Sequence, residues 1–221
     1  MSGRDTILAR IRAATGGAEG DAPDRLAARP RGPRPARADD DPVARFMAEA
    51  HAAGGTVSGP VPPEDVPAAI AEWLAAENLP ARLAASPDPA LDRYPWSSRP
   101  LLTLERRRAD PGDRVSLTPC FAGVAETGTL ATLSGPERPV TLNFLPEAHV
   151  ALVSTRDLVG AYEDLWARVR EAGDTPRTVN LITGPSRSAD IGQELRMGAH
   201  GPRRLHIVLV DDGPPEGSDE T

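Results

Sequence analysis

The chain has 221 residues, of which 39% are hydrophobic and 26% charged, enough for one sizeable domain or two small ones. No apolar run approaches the roughly 18–20 residues of a bilayer crossing, and the polar Met1–Arg12 start lacks a secretory core, so a cytoplasmic protein without membrane insertion is expected. A net charge of -7 argues against nucleic-acid binding, and Cys120, the sole cysteine, excludes an internal disulfide, a four-cysteine zinc site or a cysteine-ligated iron–sulfur cluster.

Ile7, Leu8 and Ile11 make one amphipathic stripe, predicting a short N-terminal helix. Thr15 to Asp40 is aperiodic and rich in Gly, Pro, Arg and Asp, and reads as a flexible linker in which Arg25, Arg29, Arg31, Arg34 and Arg37 are solvated. Residues 1–40 are thus an extension, 41–212 the body, and 213–221 a disordered acidic tail.

Within the body, Val43, Phe46, Met47 and Ala50 recur at helical spacing until Gly54-Gly55. Thr56-Val57 predicts a short strand, and Glu64 to Glu77 a helix with Val66, Ile70, Trp73 and Leu74 on one face and Pro67 in its first turn. Ala81 to Ala85 reads as a strand. Pro87, Pro89, Pro95 and Pro100 then break the chain, leaving one strand at Leu101 to Leu104 and an exposed face at Arg106 to Arg108. Further strands are expected at Val115–Leu117, Phe121–Ala125, Thr129–Leu133, His149–Ser154 and Thr178–Thr183. A helix from Thr155 to Ala172 carries Leu158, Tyr162, Leu165, Trp166 and Val169, and a short one runs from Asp190 to Gly198. Leu205 to Val210 is apolar without alternation, as in a strand covered on both sides. The pattern predicts an α/β fold with a central, mostly parallel sheet and helices on both faces.

Three motifs suit chemistry, all between Gly123 and Asp211. In Ala125-Glu126-Thr127-Gly128-Thr129 a carboxylate follows a strand, where open α/β sheets hold ligands. Gly128 permits close backbone approach, Thr127 and Thr129 add hydroxyls, and Glu126 is the natural base or nucleophile; the bland reading is a β-turn with Glu126 as a cap. Thr183-Gly184-Pro185-Ser186-Arg187-Ser188-Ala189-Asp190 follows a strand and opens the predicted helix, a geometry that serves an anion or a helix cap equally. His200, in Gly198-Ala199-His200-Gly201-Pro202-Arg203, can bond a substrate or shuttle a proton, although a lone histidine is more often structural. His51, His149 and His206 read as structural and Cys120 as inert; no histidine pair has metal-ligand spacing. All 25 basic residues are arginine, which excludes a Schiff-base or P-loop lysine.

In this order the motifs resemble the LUD domain family, within it the lactate utilization protein C group. The pieces are Ala125 to Leu130, Leu145-Pro146 through His149, Ile182 to Ile191, and His200-Gly201-Pro202 with the strand that follows. Ser188 stands where the family often has Thr, and Gly192 where an acidic residue often follows Ile191. The resemblance implies a fold similar to the sugar-isomerase and CoA-transferase-like group. It also implies a part in oxidising L-lactate to pyruvate beside iron–sulfur partner subunits, without an intrinsic cofactor. The expected site comprises Glu126 as the catalytic residue, with Thr127, Gly128, Thr129, Gly184, Ser186, Arg187, Ser188, Asp190 and His200 as ligands to a small carboxylate or phosphate. The alternatives are a CoA-transferase-like or sugar-phosphate enzyme using Glu126 in its Glu-x-Gly turn, or a scaffold in which both loops are only turns.

Overall fold

The computed structural model describes residues 3–14, 41–173, 176–188, 196–198 and 200–213. The expected linker and the acidic tail past Gly213 lie outside the described residues, as does most of the expected Asp190–Gly198 helix. Helix α1 (Gly3–Ala14) forms over the predicted stripe, with Ile7 60% and Ile11 52% exposed.

Helix α2 (Pro42–Ala52) starts where its sequence dictates: Asp41 Oδ1 accepts from the Val43 and Ala44 amides at 3.0 and 3.1 Å, and Pro42 occupies the first turn. It buries Phe46 and Ala50 completely or nearly so. Burying a phenylalanine contributes about 1.5–3 kcal/mol. Strand β1 (Thr56–Val61) follows, then helix α3 (Val66–Ala76) on Val66, Ile70, Trp73 and Leu74. Next come β2 (Arg82–Ala85), β3 (Thr103–Arg106) and β4 (Val115–Pro119). Strands β5 (Ala122–Val124) and β6 (Thr129–Leu133) form a hairpin, and the short helix α4 (Thr141–Phe144) leads into β7 (Ala148–Ser154). After β8 (Leu158–Val159) come helix α5 (Tyr162–Glu171) and β9 (Val179–Ile182). Two-residue strands β10 (Arg187–Ser188) and β11 (Arg196–Met197) pair with each other, and β12 (Arg204–Val210) ends the fold.

Six strands make one wholly parallel sheet in the order β1-β12-β7-β4-β2-β3. Helix α3 covers one face through Ile70, Trp73 and Leu74 packed on Leu83, Leu117, Val150 and Val208. The other face meets α2 and a second sheet, ordered β8-β5-β6-β9, with Phe46, Leu130, Ala151, Val153 and Ile207 between them. Helix α5 then packs on the outer side of that second sheet, with Leu165 against Ala122, Val124 and Ala131. Helices lie on both faces as expected, and the second sheet is an additional layer.

Three expectations change. The Thr155–Ala172 helix starts only at Tyr162, because Leu158 and Val159 pair with Gly123 and Val124 in the second sheet. Trp166 is consequently 38% exposed. Arg187 and Ser188 lie in a strand rather than at a helix entry, and Arg196-Met197 are strand where helix was expected. Arg106 and Arg107 are half-buried: Arg107 bonds Asp113 at 2.6 and 2.8 Å and Glu105 at 2.7 Å, and Arg106 donates to the Ser86 carbonyl at 2.8 Å. Proximity to these carboxylates raises the Arg107 pKa above its usual range.

Candidate functional site

The Glu126 turn connects β5 to β6, with Val124 paired to Thr129 across the hairpin. It therefore closes the antiparallel hairpin of the second sheet, and is not a carboxyl end of the parallel one. Glu126 Oε1 accepts from the Tyr162 amide at 3.1 Å, so its carboxylate sits at the first turn of α5, where helix amides lack partners and the dipole favours negative charge. Gly128 has φ +63°, and a Cβ there would lie 2.2 Å from the Ala50 amide nitrogen. The glycine is needed for backbone approach, and what approaches is helix α2.

The second loop meets the same helix. Gly184 has φ +71°, and its Cβ would fall 2.2 Å from the Ala53 carbonyl oxygen. Arg187 Nη2 donates to that carbonyl at 2.5 Å, a cation at a helix C-terminus satisfying an otherwise orphaned acceptor. The loops also touch each other. Thr129 Oγ1 lies 2.6 Å from Thr183 Oγ1, 2.7 Å from Thr127 Oγ1 and 2.9 Å from the Tyr162 hydroxyl.

Behind Thr183 opens a cleft of about 240 Å³, and the third motif closes it. The Ser186 amide donates to the Pro202 carbonyl at 2.9 Å, and the Gly198 amide to the Ser186 carbonyl at 2.9 Å, clamping one loop on the other. Thr183, Gly184, Ser186, His200 and Gly201 form the walls, and the partly exposed Phe144 and Leu181 the rim. The cleft lies by the amino ends of β7 and β12, where His149 and Leu205 are the second residue of each.

Two buried side chains in its lining carry the chemistry. His149 Nε2 is 2.7 Å from Thr118 Oγ1, and Asn143 Nδ2 donates to Thr132 Oγ1 at 2.9 Å. Among the described residues, His149 Nδ1 and Asn143 Oδ1 have no partner. A buried polar atom without a partner costs about 1–3 kcal/mol, so two in one cleft mark a place for a ligand or water. Burial pushes the His149 pKa down to about 4, so the imidazole is neutral near pH 7. A base that weak suits hydrogen bonding better than proton abstraction. No arginine or carboxylate lies among the described lining residues.

Of the expected residues, Gly184, Ser186 and His200 line the cleft, and Thr127 and Thr129 back it through Thr183. Gly128 and Arg187 hold α2, and Glu126 caps α5. Ser188 lies in β10, and Asp190 is outside the described residues. His149, Asn143, Thr183 and Tyr162 are the additions. The structural reading of His149 fits its burial and its Thr118 bond, but not its vacant Nδ1. Nothing local distinguishes Asn143. His206 stacks on Trp73 at 4.5 Å and bonds Thr56 Oγ1 at 2.9 Å, as a core histidine does, although its Nε2 has no partner among the described residues. Cys120 is half-buried, and burial pushes its thiol up to about 12.

Comparison with known proteins matches residues 43–210 to the LUD domain. The chain belongs to the LUD domain family. It is 35% identical over 138 residues to lactate utilization protein C of Exiguobacterium sp., covering 59% of this chain and 58% of that one. To lactate utilization protein C of Geobacillus thermodenitrificans it is 32% identical over 123 residues, covering 53% and 50%. The chain thus spans about half the length of the curated relatives it matches. Its fold is similar to the crystal structure of a DUF162 family protein from Deinococcus radiodurans, with a TM-score of 0.55, 23% identity, and coverage of 80% of this chain and 99% of that one. No helix among the described residues is long and apolar enough to cross a membrane.

Proposed function

From its place in the LUD domain family, we propose that this protein is a subunit of a lactate-utilisation system and holds a small 2-hydroxy acid in the His149–Asn143 cleft. The observation that carries the reading is the pair of buried atoms, His149 Nδ1 and Asn143 Oδ1, that have no hydrogen-bond partner among the described residues. An Asn carbonyl oxygen only accepts, whereas a neutral imidazole nitrogen accepts or donates according to tautomer. A hydroxyl, being donor and acceptor at once, satisfies both. The hydroxyl of L-lactate lies inward, and its carboxylate stays at the mouth, hydrated and within reach of Ser186 and the exposed His200. With no arginine among the described lining residues, that orientation avoids burying a charge without a counter-ion.

The neutral, weakly basic imidazole in the cleft favours a binding subunit over a stand-alone catalyst, with electron transfer assigned to iron–sulfur partner subunits. The capping role of Glu126 gives the transferase alternative no support from geometry. Calorimetric titration with L-lactate and with propionate, which lacks the hydroxyl, tests the reading. Lactate is expected to bind about tenfold or more tightly than propionate, and Asn143→Ala to abolish the difference. Equal affinity for the two acids, or a preference that survives Asn143→Ala, would sink the cleft assignment. Lactate oxidation by the purified chain alone would sink the subunit assignment.

A further inference from the structure

In the parallel sheet the chain adds β3 on one side of β2, but from β4 it proceeds the other way, through β7 to β12. The strand order therefore reverses between β2 and β4, and open α/β sheets hold ligands outside the carboxyl ends of the strands at such a reversal. The hydroxy-acid cleft is at the opposite, amino edge. Beyond Ala85 and Pro119, where β2 and β4 end, lies a separate hollow of about 190 Å³ that shares Phe121, Leu133 and Arg138 with an adjoining groove of about 970 Å³. Together they reach the size of a cofactor-class site.

The lining is cationic at intervals and apolar between. Arg138 Nε donates to Asp88 Oδ2 at 2.6 Å, and the buried Asp88 is itself fixed by the Ala90 amide at 2.9 Å. Held by one nitrogen, the Arg138 side chain makes no other hydrogen bond among the described residues and leaves both Nη groups available at the junction of the two hollows. Arg168, paired with Asp157, lies over the Phe121 ring, 5.1 Å from its centre, so a guanidinium and an aromatic ring stand together in the wall. Arg177 is exposed along the groove and has no ion pair among the described residues. Leu133 and Pro136 supply the apolar surface between these cations. A pre-positioned guanidinium with free donors suits phosphate oxygens, and a planar base can stack on an aromatic ring or a guanidinium plane.

We infer that this carboxyl-edge groove binds a nucleotide, with the phosphates at Arg138 and Arg177 and the base against Phe121 and Leu133. It is independent of the hydroxy-acid cleft.

The test is calorimetric titration of the full chain with ATP, adenosine and inorganic pyrophosphate. ATP is expected to saturate, with pyrophosphate and adenosine each binding about tenfold or more weakly. Arg138→Gln should weaken ATP about tenfold or more. Because that change leaves Asp88 buried without its partner, the exposed Arg177→Gln is a second probe free of folding effects, and it should weaken ATP several-fold. Ser186→Ala, on the other edge of the sheet, should leave ATP binding unchanged. Absence of ATP binding, ATP affinity indifferent to Arg177→Gln, or pyrophosphate binding as tightly as ATP would each overturn the nucleotide assignment.

Discussion

Two histidines are buried in this fold in their neutral form, which makes stability depend on pH in a defined window. Burial pushes His149 and His206 from the ordinary 6.5 down to about 4, with a bond to Thr56 partly opposing the shift at His206. Between those values the unfolded chain binds a proton at each site and the folded chain does not. Acidification therefore favours unfolding, and stability is lost as pH falls from about 6.5 towards 4. Integrating between pH 7 and pH 5 gives a loss of about 2 kcal/mol per histidine, about 4 kcal/mol for the pair, a large part of a typical domain's stability. The carboxylates of Glu105, Asp113 and Glu147 are held low mainly by bonds to Arg82, Arg107 and Arg204 respectively. Their contribution is present above the ordinary carboxylate pKa and is lost below about pH 4.5, beneath the pH 7 to pH 5 interval that reads the histidines. Urea unfolding at pH 7 and pH 5, on the wild type and on the double variant His149→Gln/His206→Gln, measures the effect. The variant will differ in absolute stability because its packing changes, so the slope with pH is the readout. A wild-type loss under about 1 kcal/mol, or an undiminished slope in the double variant, would refute the reasoning.

Gly128→Ala should destabilise the protein by about 3–5 kcal/mol, combining a left-handed backbone with a Cβ pressed on the α2 backbone. Gly112→Ala, which meets nothing within 4 Å, should stay within about 0.5 kcal/mol of wild type by the same urea titration. Glu126→Ala should cost about 1 kcal/mol, as the loss of a helix cap, and leave lactate affinity unchanged by calorimetry. A large loss of affinity without loss of stability would return Glu126 to the site.

Local signals placed the elements whose cause is local. Asp41-Pro42 and Gly54-Gly55 bracket α2, and the unbroken Leu205–Val210 run is a strand buried on both sides. The second sheet was not legible as a layer, because its assignment rests on pairings distant in sequence. Leu158 keeps helical spacing with Tyr162, Leu165 and Val169, and only its pairing with Gly123 makes it a strand. The site divides in the same way. The loops at Gly184–Ser186 and His200–Gly201 were marked by composition and do line the cleft. His149 and Asn143 read as ordinary core residues, since nothing along the chain reveals that a buried ring nitrogen and an amide oxygen of one cleft's lining lack partners among the described residues.

The glycines of the two principal motifs resolve a further ambiguity. A glycine in a short polar loop signals that something comes close to the backbone, without naming what. Here Gly128 and Gly184, far apart in sequence, both admit the last turn of α2, at Ala50 and at Ala53, and Arg187 closes the same helix end. That helix end therefore fixes the hairpin and the Gly184 loop relative to each other, and the Thr129–Thr183 bond at 2.6 Å follows from their common docking. Since Thr183 is a wall of the cleft, the position of that wall is set by a helix that contributes no residue to the lining. The motif glycines thus act on the site through placement, while the buried groups offered to a ligand hydroxyl, His149 and Asn143, come from β7 and α4, outside both motifs.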